Sequence, residues 1–112
     1  MAIYHDVLPG DVDSLVAHLD QAIPGSSLTG QLQDSSDQTL GEARMVVRSY
    51  ERYSAFGGNR VSLTVSILAV GGQLAITMVS AGGSRAMFLK LNTVSESSFL
   101  DRGLAALESY RG

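Results

Sequence analysis

The chain has 112 residues, 45% of them apolar and 17% charged, a composition that fits a single globular domain over 1–112 with a core of its own. It contains no cysteine, which excludes a disulfide scaffold, a thiolate metal site and a cysteine nucleophile. The net charge of −3 is unevenly spread: residues 1–40 carry six aspartates and no Lys or Arg, whereas residues 41–92 carry Arg44, Arg48, Arg52, Arg60, Arg85 and Lys90 against Glu42 and Glu51.

Such an asymmetry bears on partners and not on fold. The N-terminus has neither a basic region nor a long apolar run, so a signal peptide is not expected. No segment approaches the ~18 uninterrupted apolar residues of a membrane helix. The default expectation is a cytoplasmic protein with no membrane partner.

Ala2 to Leu8 alternates loosely and predicts a first strand, broken by Pro9-Gly10. Asp11 is placed to cap a helix whose apolar residues Val12, Leu15, Val16, Leu19 and Ile23 fall on one face. Pro24-Gly25 predicts its end.

From Ser27 the grammar is that of strands. Leu28, Gly30 and Leu32 alternate with polar neighbours, and Asp34-Ser35-Ser36-Asp37 predicts a turn. A long strand then runs from Ala43 towards Tyr53. Glycine pairs at Gly57-Gly58, Gly71-Gly72 and Gly82-Gly83 separate three alternating runs, Val61–Ala69, Leu74–Val79 and Ala86–Leu91. Glycine supplies the positive φ that tight hairpins need, so an antiparallel meander is expected.

Thr93 and Glu96 match a capping box for a last helix carrying Leu100, Leu104 and Leu107, with Gly103 allowing close packing. The expected fold is therefore α+β, a meander with two helices on one face, in the order β-α-β-β-β-β-β-α. That order is similar to the TATA-binding-protein-like topology and, less closely, to helix-grip folds.

Three stretches carry a family resemblance: Tyr50-Glu51-Arg52-Tyr53-Ser54, Gly57-Gly58-Asn59-Arg60-Val61-Ser62-Leu63 and Gly82-Gly83-Ser84-Arg85-Ala86-Met87-Phe88. With Lys90-Leu91-Asn92-Thr93 and Ser98-Phe99-Leu100, they resemble a small bacterial family of uncharacterised domains of about this length. The resemblance implies a single domain and no established activity, cofactor or catalytic residue.

Chemistry-bearing constellations are sparse. His5 and His18 have no second histidine at ligand spacing, so no metal site and no cofactor is expected. No nucleophile, base and orienter can be assembled from the motifs present, which predicts a non-enzymatic domain.

Two groups remain as candidates. Gly57-Gly58-Asn59-Arg60 and Gly82-Gly83-Ser84-Arg85 share a pattern in which consecutive backbone N–H groups and an arginine could cradle an anion, although hairpin turns alone explain the glycines. Arg44, Arg48, Tyr50 and Arg52 share strand parity, so one sheet face carries three cations and an aromatic. That is a nucleic-acid-binding pattern, weighed against an ordinary solvated face on an acidic chain.

Three functions follow. The first is a binding domain holding a small molecule between sheet and helices, lined by Met45, Met78 and Met87, or an anion at the glycine turns. The second is a homo-oligomeric interaction module using the second sheet face, where Leu68, Val70, Val79 and Phe88 join Ser62, Thr64 and Ser66. The third, disfavoured by the net charge, is a nucleic-acid binder.

Overall fold

The computed structural model describes residues 2–25, 31–53, 60–82 and 89–111. Strand β1 (Ala2–Pro9) is followed by helix α1 (Val12–Gly25), strands β2 (Gln31–Leu40), β3 (Ala43–Tyr53), β4 (Arg60–Val70) and β5 (Gln73–Gly82), and helix α2 (Leu89–Arg111). The five strands form one antiparallel sheet in the order β1-β5-β4-β3-β2. The expected class is therefore found: an α+β fold in which β2 to β5 form a meander and β1 returns beside β5.

Local chemistry explains most of the boundaries. Asp11 caps α1 through Oδ2, which accepts the Ser14 N–H at 2.9 Å. Gly71 and Gly72 both have positive φ, 58° and 79°, the two-residue turn whose twist matches the hairpin it joins.

Both helices lie on the same face. Even-numbered residues of β5 and odd-numbered residues of β4 point towards them, burying Leu63, Val65, Ile67, Leu74, Ile76 and Met78. From above, α1 contributes Leu15, Leu19 and Ile23, and α2 contributes Phe99 and Leu107. Each fully buried Leu, Ile or Phe removes enough apolar surface to contribute roughly 1.5–3 kcal/mol. Gly103 allows α2 to sit this close, since a Cβ there would lie 2.9 Å from Leu63 Cδ2 and 3.0 Å from Met78 Sδ.

Three expectations need correction. Asp34 to Asp37 is not a turn but the middle of β2, and the chain reverses at Gly41-Glu42 instead. As an edge strand, β2 is held by its ladder to β3 and by side chains such as Asp37, so it needs no apolar alternation. The alternation around Leu89 and Leu91 belongs to α2 and not to a strand, because short apolar runs fit either period. The capping-box residues Thr93 and Glu96 consequently fall inside α2, whose first residue is Leu89. Residues 83–88 and 28–30, also read as parts of strands and turns, lie outside the described residues.

Candidate functional site

Arg44, Arg48, Tyr50 and Arg52 do share one face of β3, but it is the face the helices cover. Tyr50 and its strand neighbour Val46 are fully buried there. The expectation of an ordinary solvated face is thus corrected, and the physical reason is α1, which brings aspartates onto the arginines.

Arg44 donates to Asp37 from Nε at 2.9 Å and from Nη2 at 2.7 Å, and its Nη1 lies 2.9 Å from Asp13 of α1. These hydrogen bonds hold the Asp37 carboxyl below the usual carboxylate range and raise the Arg44 guanidinium above its own. Two turns further along α1, Asp20 accepts the Tyr50 hydroxyl at 2.6 Å and faces Arg48 Nη2 at 3.4 Å. Burial, and then the bond to Asp20, push the Tyr50 phenol well above its ordinary value.

Arg52 stacks its guanidinium 4.6 Å from the ring centre of Phe99. Burial, with Arg102 nearby, lowers its pKa. These contacts engage all three cations inside the molecule. Asp13, Asp20 and Asp37 of the acidic first forty residues and Arg44 and Arg48 of the basic centre thus meet in one intramolecular seam.

Of the glycine candidates, Gly57, Gly58, Asn59, Gly83, Ser84 and Arg85 lie outside the described residues. Gly82 and Arg60 are seen at the same end of the sheet. Gly82 pairs with Val61, and a Cβ on Gly82 would meet the Arg60 carbonyl oxygen at 2.5 Å. Its φ of +130° is closed to other residues, so this glycine is explained by close backbone approach. Arg60 is bonded to Glu51 across the β3–β4 ladder.

Neither α1 nor α2 covers the opposite sheet face. Val7 pairs with Ala75, Ala75 with Leu68, and Leu68 with Met45, so one apolar row crosses four strands. Val7 is 63% exposed, Met45 41% and Leu68 39%. Val70 and Leu40 extend this apolar end, and Ile3, four residues from Val7 on the same face, pairs with Val79. Towards the other end hydroxyls enter the face, with Thr77 beside Ser66 and Thr64 beside Ser49, alongside Val47 and Val79.

Sequence reasoning assigned Leu68 and Val70 to this face but missed Ile3, Val7 and Met45. Met45 was expected among ligand-lining residues under the helices together with Met78. Only Met78 is there, because the parity of β3 turns Met45 the other way, and Met87 lies outside the described residues. The missed signal was parity: Tyr4 and Leu8 fit beneath α2, which forces Ile3 and Val7 outwards.

Two further features adjoin the helices. A groove of about 510 Å³ is lined by Asp6, Pro9, Tyr110 and Arg111. Asp6 accepts the Val7 N–H at 2.8 Å and the Tyr4 hydroxyl at 2.9 Å, and is bonded to Arg111. The Arg111 bond is the main reason its carboxyl stays below the ordinary range. Asp6 thereby covers a backbone donor on an edge strand, a common protection against stray strand pairing.

His18 Nε2 lies 2.7 Å from Ser109 Oγ and 2.9 Å from the Ala106 carbonyl, joining α1 to α2. Among the described residues no three His, Asp or Glu side chains gather as a metal site, and no helix is long and apolar enough to cross a membrane.

A comparison with curated proteins finds no match. A family profile, by contrast, matches residues 1–111, nearly the whole chain including every strand and helix described above. The chain belongs to the family of unknown function DUF6054.

Proposed function

We propose that this domain is a protein-interaction module without catalytic activity, and that its working surface is the open face of the sheet. One observation carries the reading: the Val7–Ala75–Leu68–Met45 row is a continuous apolar band on a face that neither α1 nor α2 covers. Contiguous exposed apolar surface on a small domain is a mark of an interaction site, because leaving it in water forgoes burial free energy. The arginine stripe offers no comparable surface, since its cations are engaged by Asp13, Asp20, Asp37 and Phe99.

Native mass spectrometry of the chain purified from its own cells tests this, comparing wild type with Leu68→Lys. Leu68 is partly exposed, so the lysine is tolerated by the fold. The expected result is an assembly of defined composition for wild type that is lost in the variant. A wild-type chain without any assembly, or one whose assembly survives Leu68→Lys, contradicts the reading.

A further inference from the structure

We infer that the occupant of the open sheet face is a second copy of this chain, packed sheet on sheet about a two-fold axis that runs along β4. The inference rests on the interaction reading above and adds the partner and its orientation.

Area is the first argument. Strands lie about 4.8 Å apart and rise about 3.3 Å per residue, so five strands of 8 to 11 residues present a face of about 24 by 30 Å, or about 700 Å². Stable dimers of standard size bury about 800 Å² per partner. One face of this sheet is close to a whole interface.

Charge is the second. The apolar row, the row beside it through Thr77, Ser66 and Val47, and the row through Gln73 and Val70 contain no Asp, Glu, Lys or Arg. The open-face charges Asp34, Glu51 and Arg60 are confined to the far end, and Glu51 is already bonded to Arg60. Interface centres are depleted of charge in this way.

Self-complementarity fixes the axis. A two-fold interface brings the same patch of both copies together. An axis lying in the interface and perpendicular to the strands would set the apolar end of each copy against the end of the other that carries Asp34, Glu51 and Arg60. An axis along β4, the central strand, lays each row on itself and covers the whole width of the sheet. Leu68 then meets the partner's Leu68, and Ala75 of β5 meets the partner's Met45. The second pairing sets a small residue against a long flexible one, as interdigitating sheets require.

The absence of cysteine makes this directly testable. Leu68→Cys keeps a small apolar side chain on the axis, and a short bismaleimide bridges two thiols across a sheet spacing of about 10 Å. The expected result is efficient bridging of Leu68→Cys chains at dilute concentration. Ala105→Cys, on the exposed surface of α2, should remain single. Bridging of Leu68→Cys no faster than that of Ala105→Cys overturns the inference. Should Leu68→Lys still lose an identified partner of different sequence in native mass spectrometry, the interaction reading survives while the second copy does not.

Discussion

The hydroxyl of Tyr50 donates to Asp20 Oδ1 at 2.6 Å, joining the centre of β3 to α1 across a seam that also holds Arg48. Tyr50→Phe keeps the buried ring and removes only this bond. The expected loss is about 1–2 kcal/mol of unfolding free energy, read from urea denaturation. Unchanged stability would show that the bond contributes nothing net.

The same phenol sets an alkaline limit. Its pKa is raised in the folded protein, so the stability it contributes is complete below the unfolded tyrosine value of about 10 and is lost as pH rises beyond it. Wild-type stability should therefore fall more steeply above about pH 10 than that of Tyr50→Phe. Parallel alkaline limbs for the two proteins would contradict this.

At the acid end the sign reverses. The carboxyls of Asp6 and Asp37 are depressed, chiefly by Arg111 and Arg44, so their contributions are present above the unfolded value of about 3.9 and vanish as pH falls through the lower folded values. Both pairs are open to solvent, so the effect is small and weakens with salt. An Asp6→Asn, Asp37→Asn double variant should show a flatter acid limb than wild type, most clearly at low ionic strength.

Arg48 is where the sequence pattern and the structure part company most sharply. On strand parity alone it belongs to a cationic stripe; in the fold it faces Asp20 beneath α1, with its side chain only 21% exposed. Arg48→Glu sets two carboxylates together there and should destabilise the fold by about 2 kcal/mol or more. Wild type should bind single-stranded nucleic acid no better at low salt than at high salt. Salt-dependent binding that Arg48→Glu removes without loss of stability would restore the nucleic-acid reading.

Much of the architecture is legible without coordinates because periodicity is unambiguous where one face is buried. The Val61–Ala69 run and the Val12–Ile23 helix both follow their templates, and Gly71-Gly72 marks its turn. The edge defeated the same logic: Asp34 to Asp37 in β2 reads as a turn because an outermost strand has no apolar requirement. For the surface, parity told which residues share a face but not which face α1 and α2 would cover. That choice decided everything about Arg44, Arg48, Arg52 and Met45.

Gly82 illustrates a residue whose role only the fold reveals. It stands in a pattern resembling an anion-binding turn, yet its φ of +130° and the nearby Arg60 carbonyl account for it through backbone geometry. Gly82→Ala should cost about 2 kcal/mol or more, seen as a lowered melting temperature, because neither the φ nor the neighbouring backbone can yield cheaply. A neutral Gly82→Ala substitution would contradict that account of the residue.

The central claim is that the open sheet face is an interface between two copies, and light scattering coupled to size exclusion tests it most directly. Wild type should elute with twice the mass of one chain as its concentration is raised, and Leu68→Lys should elute as a single chain with unchanged circular dichroism. A wild-type protein that keeps the mass of one chain up to near-millimolar concentration would contradict the claim, as would a dimer indifferent to Leu68→Lys.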